Sequence, residues 1–209
     1  LSSDAAFLGD RTIALTQYPI STNVPAAAEQ FAEGLAWASG FNFGEATASF
    51  RRAQQADPEC AMCVWGEAYS LGSNINEPFE PAQSQQAFDA AERALSLADH
   101  GSASERAVIE ALGHRFTAGD AGVAENPEAY AQAMWAAARR NPQDRLIVTL
   151  TAEAMMLTQP WDYWEIDGTP KGHTGQALGL LENVLEDHPD YTPAIHFYIH
   201  LTEASPDPG

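Results

Sequence analysis

A chain of 209 residues that is 45% apolar and 19% charged carries enough hydrophobic material for one large domain or a continuous repeat array, and too much for a disordered polymer. Acidic residues outnumber basic ones 29 to 10, a formal charge of −19, and the basic residues cluster no further than Arg51-Arg52 and Arg139-Arg140. This argues against nucleic acid and anionic membrane surfaces as partners. No apolar run approaches the roughly 20 residues that span a bilayer, so no integral membrane segment is expected.

The chain starts at Leu1 with neither an initiator Met nor a signal peptide, as a processed exported protein or a cloned fragment would. Residues 1–22 read as an extended lead-in strapped onto the first helix. Beyond them, strand signals are nearly absent. Alanine-rich segments with apolar spacing near 3.6, broken by Pro, Gly and Asn, predict helices at 25–39, 43–56, 59–71, 81–98, 103–117, 127–140, 144–157, 173–187 and 191–203. A Pro-rich tail, 204–209, follows. The fold class is all-α.

The helices come in pairs. "ADPE" at 56–59, "RNPQ" at 140–143 and "DHPD" at 187–190 each end one helix and begin the next, with Ala53, Ala137 or Val184 five residues before the proline. Ala46 and Phe50 give Ala-x3-Phe, and Ala177 and Leu181 give a relaxed copy. Gly with an aromatic three residues on recurs as Gly34/Trp37, Gly66/Tyr69 and Gly113/Phe116. The glycine lets paired helices approach, and the aromatic fills the groove between them.

From about residue 23 to 203 this pattern resembles the tetratricopeptide repeat, W-x2-L-G-x2-Y followed by A-x3-F and Pro. The insertions "GSNINEPFEP" and "QPWDYWEIDGTPKGH" stretch the period. The resemblance implies a right-handed α-solenoid of antiparallel pairs, about four and a half repeats long. "DPECAMCVWGEAYSLGSNIN", "PWDYW" and "HFYIHLTEASPDP" are further similar to a group of exported bacterial repeat proteins. That likeness implies a periplasmic or extracellular setting and names no activity.

The last predicted helix is the first member of a pair whose second member is missing, which leaves Ile195, Ile199 and Phe197 or Tyr198 partly uncovered. Exposed apolar surface marks an interaction site. Another copy of the chain docking there would make a head-to-tail homo-oligomer, closing as a ring or running on as a filament.

"HFYIHLTE" carries the sharpest local chemistry. His196 and His200 at i, i+4 can share one metal, and Glu203 lies on the same face. In the repeat frame both histidines occupy slots that hold core aromatics elsewhere, so packing is the rival reading. Glu153, a carboxylate in the apolar run "LTAEAMML", falls near the His200 slot of the preceding repeat. Glu153, His196, His200 and Glu203 together would suit zinc, copper, iron or manganese. No independent nucleophile or substrate motif supports catalysis, so no catalytic residue is named.

Cys60 and Cys63 open a helix after Pro58, and the preferred reading is a disulfide tying its start, with copper or zinc ligation as the other. Val64 stands where c-type haem attachment needs His. "PWDYW" gathers Trp161, Tyr163 and Trp164, as an anchored loop or as an aromatic protein-binding patch. "SNIN", with Asn74 and Asn76, reads as capping and turn chemistry or as a polar binding spot.

Overall fold

The computed structural model describes residue 14 and residues 16–206, so the lead-in before these and the end of the tail lie outside the described residues. Among them run nine α-helices: α1 (Pro25–Ala38), α2 (Phe43–Ala56), α3 (Ala61–Ser70), α4 (Ser84–Ser96), α5 (Ala103–Gly113), α6 (Pro127–Arg140), α7 (Arg145–Met156), α8 (Thr174–Asp187) and α9 (Thr192–Thr202). A 3-10 turn (Ala98–His100) precedes α5, and a two-stranded antiparallel hairpin, β1 (Phe116–Gly119) with β2 (Gly122–Glu125), separates α5 from α6. No described helix is long and apolar enough to cross a membrane.

The chain turns where proline punctuates it. Pro58, Pro142 and Pro189 sit in the short links before α3, α7 and α9, and Pro25 and Pro127 occupy the first turns of α1 and α6, where a missing N–H costs nothing. Side-chain caps fix other starts. Asp144 accepts from the amides of Leu146 and Ile147 at α7, and Ser102 with Glu105 forms a capping box at α5. The hairpin departs from the all-helical expectation. The helix predicted to reach residue 117 stops at Gly113, and "FTAGDAGVAE" reverses on Gly122 at φ +105°. Its strands are four residues each and built mostly of small side chains, too short to show a period of two.

Each helix packs on the next in sequence, and α1 packs on α3, α3 on α5 and α7 on α9. Within α1–α3 the glycines admit an aromatic ring, but it is Phe50 of α2 and not the Trp37 or Tyr69 of the expected pairs. Phe50 of α2 is fully buried beneath Gly34 of α1 and Gly66 of α3, and a Cβ at Gly34 would stand 2.6 Å from its ring. Gly34→Ala is therefore expected to destabilise the protein by about 1–3 kcal/mol, the usual cost of overpacking, read as a lower urea midpoint with an unchanged slope. A midpoint equal to wild type would show that Phe50 has room to move.

Every residue of α7 from Leu146 to Met156 is buried, so this helix is enclosed on all sides. The lead-in contributes to that enclosure. Thr16 is buried, Arg145 donates to the Gln17 carbonyl at 2.8 Å, and the Tyr18 hydroxyl donates to Asp144 at 2.7 Å. Ser21 bonds Glu105 of α5 through both its amide and its hydroxyl, and Thr22 bonds Asp57 before α3. The segment thus crosses the starts of several helices instead of lying along α1 alone. Helix α9 in turn meets the end of α1: Phe197 is 2% exposed and its ring lies 5.7 Å from that of Phe41.

Candidate functional site

The two histidines of "HFYIH" are placed by the end of α1 and by α9 itself. His196 and His200, one turn apart on α9, bring their Nε2 atoms to 2.9 Å. His196 Nδ1 lies 2.6 Å from the Ser39 carbonyl at the end of α1, and His200 Nδ1 lies 2.8 Å from the Glu203 carboxylate. Burial lowers the pKa of His196, with the Ser39 carbonyl acting the other way and His200 adding to the drop.

Two aromatics wall the pair. The Phe41 ring is 4.4 Å from His196 and 5.7 Å from His200, while Trp161 meets His200 edge-on at 5.4 Å. Phe41 (φ +57°) and Trp161 (φ +63°) are the only non-glycine residues with positive φ among those described. Left-handed backbone costs a bulky side chain on the order of 1–2 kcal/mol, and both instances flank the same histidines. Phe41 sits where a helix C-terminus ordinarily takes glycine. The Trp161 conformation is held by its indole N–H, which donates to the Ile75 carbonyl at 2.7 Å.

The rest of "PWDYW" anchors its loop. Tyr163 is buried, the Trp164 indole donates to the Leu201 carbonyl of α9 at 2.6 Å, and Trp161 stays half exposed. Ile195 is partly covered, and Ile199 is 51% exposed. Asn74 is buried, with Oδ1 accepting from the amides of Asn76 and Glu77, the turn chemistry expected of "SNIN". The sulfurs of Cys60 and Cys63 are at disulfide distance, with Cα atoms 5.3 Å apart.

Glu153 does not join the histidines, and no group of three or more His, Cys, Asp and Glu side chains suited to a metal forms among the described residues. Glu153 belongs to an interior polar cluster that sequence reasoning missed. It is fully buried on α7 and accepts from the Tyr69 hydroxyl of α3 at 2.8 Å. Arg115, which follows α5 and is 1% exposed, bonds Glu125 through Nε at 2.8 Å and the Ser73 carbonyl through Nη2 at 2.5 Å. Its guanidinium stands over the rings of Tyr130 at 5.2 Å, Phe116 at 5.6 Å and Tyr69 at 5.9 Å.

Desolvation raises the Glu153 pKa to about 7, with Arg115 and the Tyr69 hydrogen bond pulling the other way. Tyr69 is raised well above 10, by burial first and by Glu153 next. Burial opposes the charge on Arg115, but Glu125, Tyr130 and Glu153 outweigh it and raise its pKa. Nothing in "LGHRF" distinguishes Arg115 from a surface arginine, because its partners lie on segments far from it in sequence. The chain matches no family model and no curated protein.

Proposed function

We propose that the chain is a protein-binding scaffold: an exported, tetratricopeptide-like α-solenoid whose contact surface is the α7–α8 loop together with α9, and whose partner is a second copy of itself. One observation carries this reading. The exposed large apolar residues among those described are Trp161, Ile166 and Ile199, and all three lie on that loop and helix. The Trp164–Leu201 bond ties loop to helix, so the two present one surface. Sequential packing of helix pairs supports the solenoid, and the cysteine pair at disulfide distance supports an oxidising setting.

The charge of −19 opposes contact between copies, so association should strengthen when salt shortens the screening length below about 8 Å. Sedimentation at several protein concentrations in high salt tests this, with Ile199→Asp as the variant. Wild type should associate and the variant should weaken that by at least about tenfold, the worth of one buried isoleucine, with its helical circular dichroism intact. A wild type that stays monomeric at every concentration removes the second copy as partner.

A further inference from the structure

The histidine pair on α9 makes more contacts than its two neutral rings have hydrogens to fill. The Ser39 carbonyl only accepts, so the His196 Nδ1 facing it at 2.6 Å carries a hydrogen. The Glu203 carboxylate likewise accepts, so the His200 Nδ1 at 2.8 Å carries one as well. Each neutral imidazole has a single N–H, and both are now committed. The two Nε2 atoms, 2.9 Å apart, are left as two lone pairs facing the same narrow space. Three contacts need three positive centres, and two neutral rings supply two.

We propose that His196 Nε2 and His200 Nε2 are the two protein ligands of a mononuclear divalent copper site, with the Ser39 carbonyl and Glu203 as the groups that orient the rings. A histidine that ligates metal through one nitrogen characteristically donates the other N–H to a carbonyl or carboxylate, and both rings here do so. Two metal–nitrogen bonds of about 2.0–2.1 Å spanning 2.9 Å subtend about a right angle, the cis arrangement of square-planar or tetragonal copper. A tetrahedral zinc ion would spread the same atoms to about 3.3 Å.

Copper also binds most tightly of the divalent first-row ions to a nitrogen pair. The His200 side chain is 20% exposed and Trp161 half exposed, so the remaining positions open to solvent between the aromatic walls, where water or an exogenous donor completes the shell. The hydrogen bond from the Trp161 indole to the Ile75 carbonyl holds one of those walls in place. Glu203 therefore moves out of the ligand set, as an orienting group behind His200, and Glu153 takes no part. Both ligands come from one chain, so copper binding does not require the second copy.

The test is a copper(II) titration of protein purified without chelator or affinity nickel, with glycine as competitor and electron paramagnetic resonance as readout. One equivalent should bind with hyperfine structure from two imidazole nitrogens. His196→Ala and His200→Ala should each weaken binding at least about tenfold, and Glu203→Gln should weaken it about tenfold while leaving two nitrogens. His114→Ala, an exposed histidine at the end of α5 and 82 residues before His196, should change nothing. A measurement on unaltered protein guards against variants that fold poorly: paramagnetic broadening of amide signals should be confined to residues around 41, 161 and 196–203. A one-nitrogen signal, broadening centred elsewhere, or equal affinity in wild type and the histidine variants overturns the site and leaves a shared proton between the rings.

Discussion

Arg115→Met is expected to lower stability by about 3–5 kcal/mol, the cost of breaking a buried ion pair from one side. The guanidinium is almost fully buried, so its removal does more than delete a pair. Glu125, 2.8 Å away, loses its counter-charge, the Ser73 carbonyl loses a donor, and Glu153 loses the cation that offsets its burial. The methylene stem is replaced by methionine, but the charge facing Tyr69, Phe116 and Tyr130 is not. Urea unfolding at neutral pH measures the loss. Adding Glu153→Gln to Arg115→Met should recover part of it, because one of the stranded carboxylates is gone, and the double-mutant cycle gives the coupling between the two sites. A cycle that closes additively would mean that Arg115 and Glu153 do not sense one another.

Glu153 also sets an unusual pH dependence. Its folded pKa is raised, to about 7, so the folded state holds this proton more tightly than the unfolded chain does. Below the unfolded value of about 4.3 both states are protonated and the group is neutral in the balance. As pH rises from there to the folded pKa, the unfolded state ionises first and stability falls. Across those two to three units the loss is about 3 kcal/mol, and it is complete above about pH 7.5. Glu153→Gln removes this dependence. The stability of wild type minus that of the variant should therefore drop by about 3 kcal/mol between about pH 4.5 and pH 8, read from urea curves at each pH. A difference that stays constant would place the Glu153 pKa in the ordinary carboxylate range.

The helices were legible because their apolar spacing and their prolines act locally. Pro58, Pro142 and Pro189 end helices whatever the rest of the chain does, and Ala46, Phe50 and Ala53 face one way on any helix that contains them. The spacing paired Gly34 with Trp37 and Gly66 with Tyr69, whereas the ring that lies against both glycines is Phe50. The hairpin after α5 was not legible, since its register depends on packing around Phe116 and Arg115, residues that sequence reading assigned to the end of a helix. The same limit applies to the histidines. Their spacing announces a shared face, yet the chemistry comes from Ser39, 157 residues away, and from Phe41 and Trp161. Glu153 stood out as a carboxylate in an apolar run. Its partners Tyr69 and Arg115 lie on other helices and loops, so the repeat frame alone placed it beside the wrong neighbour.

The crossing of the lead-in over the helix starts bears on how the molecule comes apart. An array in which each helix touches only near neighbours can unzip from either end, repeat by repeat. Here Ser21 reaches Glu105, Tyr18 reaches Asp144 and Thr22 reaches Asp57, joining residues 84, 126 and 35 positions apart, while His196 joins α9 to Ser39 across 157. Losing the first or the last described helices breaks one of these long ties, so partial unfolding gains little chain freedom at the cost of several bonds. The protein should melt in one transition, with slow exchange reaching both terminal helices. Closing such distant loops also slows the search for the native state. Residues 16–22 tie sequentially packed helices into one cooperative unit.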